Sequence, residues 1–335
     1  MPHDDATAHP SQGTLGFRVV GGRHGLRRLV DWQAALAGHA ACDPRAETDR
    51  ECYLSAFTFP DDFRDYLAAN GSTKGYSGPC GAAWLWLDLD DPDDDARALD
   101  AARRLTAGLV DRYAIDADDL LVFYSGAKGY HVGLPLALCG APAPSAVFHR
   151  VARRFAERAA ERLGLIRDGG LAIDTGVYDR VRLFRAPNSR HPKTGRYKRR
   201  IAFDELLALR PDAIARMADA PESFDLPAAP ALNFTAVADW NAAAEAVRAA
   251  DAARAERRAA AAGATLNRRT LDFIRDGAAE GDRHRLLYSA AANLAEFGAG
   301  YDLAFALLSE AALDSGLPPA EVARQVRCGV EGGRA

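Results

Sequence analysis

The segment Trp84 to Asp90, WLWLDLD, constrains the fold of this 335-residue chain more than any other stretch. So apolar a run reads as a buried strand, yet period-2 alternation sends Asp88 and Asp90 to the same face, side by side. Two carboxylates about 4 Å apart repel by roughly 4 kcal/mol at an effective dielectric of about 20. A divalent cation between them removes that cost, so the pair predicts a metal at the end of this strand. Magnesium fits such a pair, since it takes carboxylates, bridging phosphates and waters in octahedral geometry. The competing reading is a frayed strand end whose aspartates cap the next helix, where Asp is common. Asp91 points to the other face and reads as a turn residue.

Two further segments put polar groups where apolar strands avoid them. Phe123 to Val132 reads FYSGAKGYHV, two short strands joined by a turn. Gly126 and Gly129 let backbone approach an anion, Lys128 adds a cation, and Ser125 and His131 donate hydrogen bonds. The phosphate loop GxxxxGK[ST] occurs nowhere in the chain, and taken alone the segment serves equally as an ordinary hairpin. Beside the aspartates it becomes a nucleotide-binding hypothesis. The third segment, Leu171 to Asp174, ends in one carboxylate and leads to Arg180, Arg182 and Arg185, with Arg180 and Arg182 expected on one side of a strand. Such a row suits triphosphate or template-backbone contacts. Its plain counterpart is a solvated edge strand charged against aggregation. His191 reads as a loop histidine and stays outside the predicted site.

A hydrophobic share of 48% and a charged share of 26% are ordinary for a soluble globular protein. The formal net charge of −4 gives no global attraction to nucleic acid. A polyanion site has to be a local patch, and the runs 180–200 and 254–258 qualify. No segment approaches the roughly 20 apolar residues that span a bilayer, so no membrane partner is expected. The N-terminus is polar and acidic, unlike a signal peptide. Five cysteines with no CxxC pair predict free thiols in a reducing cytoplasm. His39, Cys42 and Cys52 are irregularly spaced with no evident fourth ligand, so zinc is not expected.

The pattern along the chain predicts an α+β protein. Residues 1–13 read as disordered. Residues 14–215 mix helices (26–37 closed by Gly38, Asp93–Tyr113, 145–163) with strands (120–124, 130–134, 171–174, 181–185, 200–203). A Pro-punctuated linker and an exposed Ala-, Arg- and Glu-rich helix fill 216–265. Residues 266–335 read as purely helical, with helices at 268–276, 283–297, 303–314 and 319–330. Gly298, Gly300 and Gly316 sit where those helices end.

Asp88-x-Asp90, Ser125-Gly-x-Lys128-Gly-x-His131 and Ile173-Asp174 together resemble the three motifs of the archaeo-eukaryotic primase (AEP) superfamily. Those motifs are an aspartate pair, an SG(R/K)GxH segment and a hydrophobic-Asp. The continuation Val177-Tyr178-x-Arg180-x-Arg182-x-x-Arg185, ending in Ser189 and Lys193, resembles the primase-polymerase (PrimPol) branch. Glu280-Gly281-Asp-Arg283-His-Arg285-x-Leu287, with Gly298 and Gly316-Leu317, is similar to the helical (PriCT-like) module following such cores in plasmid and phage replication proteins. It departs from that module at His284, where Asn is usual. The resemblance covers roughly residues 50–205 and about 265–333.

The resemblance implies an RRM-like sheet packed on a second α/β module, followed by a small all-α domain. It implies that Asp88, Asp90 and Asp174 bind two Mg2+ or Mn2+ ions. Ser125, Lys128 and His131 would hold an incoming nucleoside triphosphate, joined by Arg182, Arg185 and Lys193. The activity implied is primer synthesis and extension on a single-stranded DNA template, in replication of a plasmid, phage or other mobile element. Without a Walker motif, unwinding would fall to a separate helicase. Two rivals stand beside this reading: a metal-dependent phosphohydrolase, since Asp-x-Asp at a strand end also occurs there, and a non-catalytic replication initiator whose helical module binds origin DNA.

Overall fold

The computed structural model describes residues 14–91, 94–167, 170–260 and 266–333. The segment expected to be disordered (1–13) lies outside them, as do Pro92 and Asp93 at the predicted start of the long helix. The chain divides into two units, 1–250 and 251–335, and among the described residues no helix is long and apolar enough to cross a membrane.

The first unit opens with β1 (Leu15–Val20), whose Phe17 and Val19 are fully buried. Strand β2 (Arg28–Asp31) pairs antiparallel with it, and the Asp31 carboxylate then accepts the Ala34 N–H to start α1 (Trp32–Ala40). The predicted helix at 26–37 therefore begins later, because residues 28–31 find a strand partner. Gly38 lies inside α1 rather than at its end. Strand β3 (Cys52–Ser55) is buried along its whole length, α2 (Asp62–Asn70) follows, and β4 (Trp84–Leu89) is the apolar strand read from sequence. The Asp94 carboxylate accepts the N–H groups of Ala96 and Arg97 and so caps α3 (Asp95–Tyr113). Asp91 supports the same turn, accepting the Asp94 N–H at 3.1 Å and pairing with Arg97.

Strands β5 (Leu121–Tyr124) and β6 (Tyr130–Pro135) form the hairpin, and α4 (Phe148–Arg162) comes next. Short strands β7 (Ile166–Arg167) and β8 (Gly170–Leu171) pair with each other. The predicted strand 171–174 stops at Leu171, because Asp174 caps a 3-10 turn, Thr175–Tyr178. Strand β9 (Leu183–Arg185) is shorter than expected: the Arg182 N–H closes a turn onto the Asp179 carbonyl at 2.9 Å, which removes Arg180 and Arg182 from the strand. Strand β10 (Arg199–Arg200), α5 (Phe203–Ala208), α6 (Pro211–Met217) and α7 (Phe234–Ala260) complete the order.

Two antiparallel sheets result, ordered β2-β1-β3-β9 and β10-β5-β6-β4. They share one core: Trp86 of β4 stacks on Phe184 of β9 with centroids 5.3 Å apart. Helix α7 is largely exposed over residues 248–257, as its composition predicts, but its first half packs on the core. Ala236, Trp240, Ala243 and Val247 recur at helical spacing and are buried, with Trp240 against Phe148 and Phe155 of α4. Alanine at i+3 and i+4 around one Trp is enough apolar face to pack.

The second unit has its own core. Helices α8 (Arg268–Asp276), α9 (Arg283–Glu296), α10 (Tyr301–Asp314) and α11 (Pro319–Gly333) enclose Phe273, Leu287, Leu294, Leu308, Val322 and Val326. A Cβ at Gly329 of α11 would lie 2.6 Å from both the Ala291 Cβ and the Tyr288 carbonyl of α9, so the helices meet backbone to backbone there. Arg283 donates to the carbonyls of Ser315 and Gly316, closing the end of α10.

Candidate functional site

The register of β4 on β6 sets Asp88 directly opposite His131, with the imidazole Nε2 3.3 Å from an Asp88 oxygen. Burial pushes the His131 pKa down, helped by the charge of Lys198, and Asp88 only partly restores it. The ring is therefore neutral near pH 7 and donates from Nε2, while its buried Nδ1 has no partner. Burial pushes the Asp88 carboxyl up, but His131, Lys198 and Arg182 outweigh that and hold it below the usual carboxylate value.

The β5–β6 turn is organised by Ser125, whose Oγ accepts the N–H groups of Gly129 (3.1 Å) and Ala127 (3.4 Å). Gly129 is required by space: a Cβ there would come 2.8 Å from the Leu89 carbonyl and 3.3 Å from the Asp90 carboxylate. The turn thus lies against the end of β4. The loop 191–196 is tied to it, since the Thr194 hydroxyl donates to the Gly126 carbonyl at 2.5 Å.

These elements surround one cavity of about 900 Å³. Asp88, Asp90, Ser125, Lys128, His131, Arg182, Arg185 and Lys193, all picked out from sequence, line it. Asp174 does not. Its backbone N–H donates to the Asp88 carbonyl at 2.8 Å, so it abuts the strand. Its half-exposed carboxylate caps Gly176 at 2.7 Å and stands 3.9 Å from Arg182. Arg180 turns away from the cavity and donates to the carbonyls of Tyr76 and Ala146. Ser189 is buried, its hydroxyl donating to the carbonyls of Cys52 and Ala186.

Among the described residues no three His, Cys, Asp or Glu side chains converge as a ready-made metal cage. Magnesium needs no such cage, being bound through one or two carboxylates together with substrate phosphates. Asp88 and Asp90 on one wall supply hard oxygen donors of that kind.

Sequence reasoning missed several cavity residues. His191, set aside as a loop histidine, lines the cavity, its Nδ1 accepting the N–H groups of Lys193 and Thr194. Arg23, Arg27 and Tyr53 come from β3 and the β1–β2 loop, far from the motifs in sequence. Lys198 sits beneath the site and is fully buried. Its ammonium lies 4.4–5.0 Å from the rings of Phe184, Phe123 and Trp86 and donates to the Arg185 carbonyl at 2.8 Å. Burial drives its pKa well below the usual lysine value. A lysine inside the run YKRR gave no signal of its own; only the pairing of Arg199 with Tyr124 turns it inward.

No protein-family model matches the chain, and no curated protein matches it. Among solved structures it is similar to the crystal structure of primase RepB', at 13% identity and a TM-score of 0.37, over 96% of this chain and 90% of that one. It is also similar to the polymerase domain of Mycobacterium tuberculosis ligase D in complex with DNA, at 20% identity and a TM-score of 0.35. That alignment covers 63% of this chain and 72% of the other.

Proposed function

We propose that this chain is a template-dependent nucleotidyltransferase of the primase-polymerase type, synthesising primers and extending them on single-stranded DNA. The observation that carries the reading is the cavity itself. Asp88 and Asp90 share it with Lys128, Arg182, Arg185 and Lys193, so carboxylates that suit a divalent cation and cations that suit phosphates line one space large enough for a nucleotide-like ligand. The catalytic core occupies residues 14–215 in this reading, and the helical unit at 266–335 serves as an accessory module.

The residues have separable tasks. Lys128, Arg182, Arg185 and Lys193 neutralise a triphosphate and hold it in one orientation. The Ser125-centred turn keeps Lys128 at the rim of the cavity. His131, neutral, donates to Asp88 and fixes the rotation of that carboxylate. Asp88 and Asp90, with Asp174 adjoining, would hold Mg2+ or Mn2+, which when bound supplies charge neutralisation at the reacting phosphate and a lowered pKa at the attacking hydroxyl. Positioning and charge stabilisation do most of the work in such transfers, so a cavity rich in Asp, Lys and Arg fits.

The test is extension of a labelled primer on a DNA template with magnesium or manganese. The wild-type chain should add nucleotides dictated by the template, and the Asp88→Ala/Asp90→Ala double variant should add none. Template-independent phosphate release, or undiminished extension by the double variant, would sink the reading.

A further inference from the structure

At the end of β4 and β6 remote from Asp88, the surface changes character. The register that sets Asp88 against His131 sets Trp84 against Pro135. Those two residues, with α1, the turn at 136–141 and the segment 226–229, line a cleft of about 630 Å³. A smaller depression shares Gln33, Ala82 and Ala83 with it, and none of the described residues lining either is charged. Three contributing segments, 32–41, 133–147 and 226–238, contain no Asp, Glu, Lys or Arg in a chain that is 26% charged. Beside the cleft stand two exposed apolar side chains. Leu232 lies 3.4 Å from where a Cβ on Gly140 would be, next to the lining residue Ala141. Phe234, 85% exposed, is the most exposed large apolar side chain among the described residues. Its backbone is anchored, since the Asn233 side chain accepts the Ala236 N–H to cap α7 and donates to the Tyr113 carbonyl.

We infer that this face is the interface of a two-fold symmetric homodimer, in which Phe234 and Leu232 of each copy enter the cleft of the other. A two-fold axis brings one face against itself, so a projection and a recess borne side by side each meet their complement. Any charge on such a face would approach its own image, and here the lining carries none. Charge depletion at the core together with an aromatic anchor is the composition of a protein–protein interface. Nucleic acid is a poor occupant, because its phosphates need Lys or Arg and the cleft offers neither. Residues 1–13 are polar, with Met1 their one large apolar residue, and so supply no comparable anchor. The inference is independent of the reaction performed in the cavity around Asp88.

The test is sedimentation velocity on the full chain over a range of concentrations. The wild type should sediment as a dimer in equilibrium with monomer. Phe234→Glu and Ala37→Arg lie at exposed positions, so both variants should fold. Each should weaken association by roughly tenfold or more, the range for losing a buried interface anchor. The double variant should recover much of that loss, because opposite charges then meet across the axis. A chain that stays monomeric at every concentration overturns the inference. So does a dimer that neither substitution weakens, which would place the contact elsewhere. Phe234-dependent binding of a monomeric chain to phosphatidylcholine vesicles also overturns it and gives the face to a membrane surface.

Discussion

His131 and Asp88 occupy facing positions on β6 and β4, and their side chains meet at 3.3 Å on the floor of the cavity. Strand pairing thus joins residues from two motifs more than forty positions apart in sequence. The hydrogen bond fixes the carboxylate's rotation before any ligand arrives. Preorganisation of this kind is what a transfer reaction governed by positioning requires.

Removing that imidazole should separate nucleotide handling from template handling. For His131→Ala we expect the KM for the incoming nucleotide to rise by roughly tenfold or more, the scale for a hydrogen bond to a charged group. Template affinity, measured by fluorescence anisotropy, should not change. Equal losses in both would argue against the assigned role.

Lys198 offers a test of what a buried cation does here. Lys198→Met keeps the volume and removes the charge, and such exchanges are often neutral or stabilising. Its melting temperature should match or exceed that of the wild type. Extension activity should nonetheless drop, because the Arg185 carbonyl loses its donor. Lys198→Ala, which leaves a cavity, should cost roughly 2–5 kcal/mol in chemical denaturation. Full activity in the Met variant would show that the lysine is structural filler.

Asp239 of α7 accepts hydrogen bonds from Arg112, Arg162 and Tyr113, joining three helices. Burial raises its carboxyl pKa, but those donors outweigh burial and leave it below the usual value. A depressed carboxyl stabilises the fold above its unfolded-state pKa of about 4 and gives that stability up as pH falls through the folded value. Asp239→Asn should be less stable than wild type at pH 7 by about 1–3 kcal/mol. The difference should shrink on acidification below about pH 4. Parallel pH profiles for the two proteins would rule this out.

Gly329 gives a prediction confined to the helical unit. Gly329→Val forces α11 away from α9, where a Cβ already meets atoms at 2.6 Å. Overpacking of this sort costs about 1–3 kcal/mol. Hydrogen exchange on the full chain should speed up in α8–α11 and stay unaltered in the first unit. Unchanged protection in α9 and α11 would contradict the contact.

Much of the cavity lining was legible because it lies on strands whose alternation is short-range. WLWLDLD placed Asp88 and Asp90 on one wall, and FYSGAKGYHV gave the hairpin together with Ser125, Lys128 and His131. The helices of the second unit were legible too, since apolar spacing and terminal glycines are local signals. Long-range pairing was not legible. Nothing near residue 28 announces that β2 will pair with β1, and nothing near residue 53 announces a cavity wall. Arg180 looked equivalent to Arg182 because the turn at 179–182 depends on a backbone hydrogen bond, not on a residue pattern. The packed first half of α7 was missed because burial by alanines leaves little trace in a hydrophobicity profile.

Lys198 stands beside β10 in one sheet and bonds the last carbonyl of β9 in the other. Prising the sheets apart would drag an ammonium out from among three aromatic rings, so the base of the cleft behaves as a riveted joint. The loops at 21–27 and 191–196, which also line the cavity, lie outside that rivet.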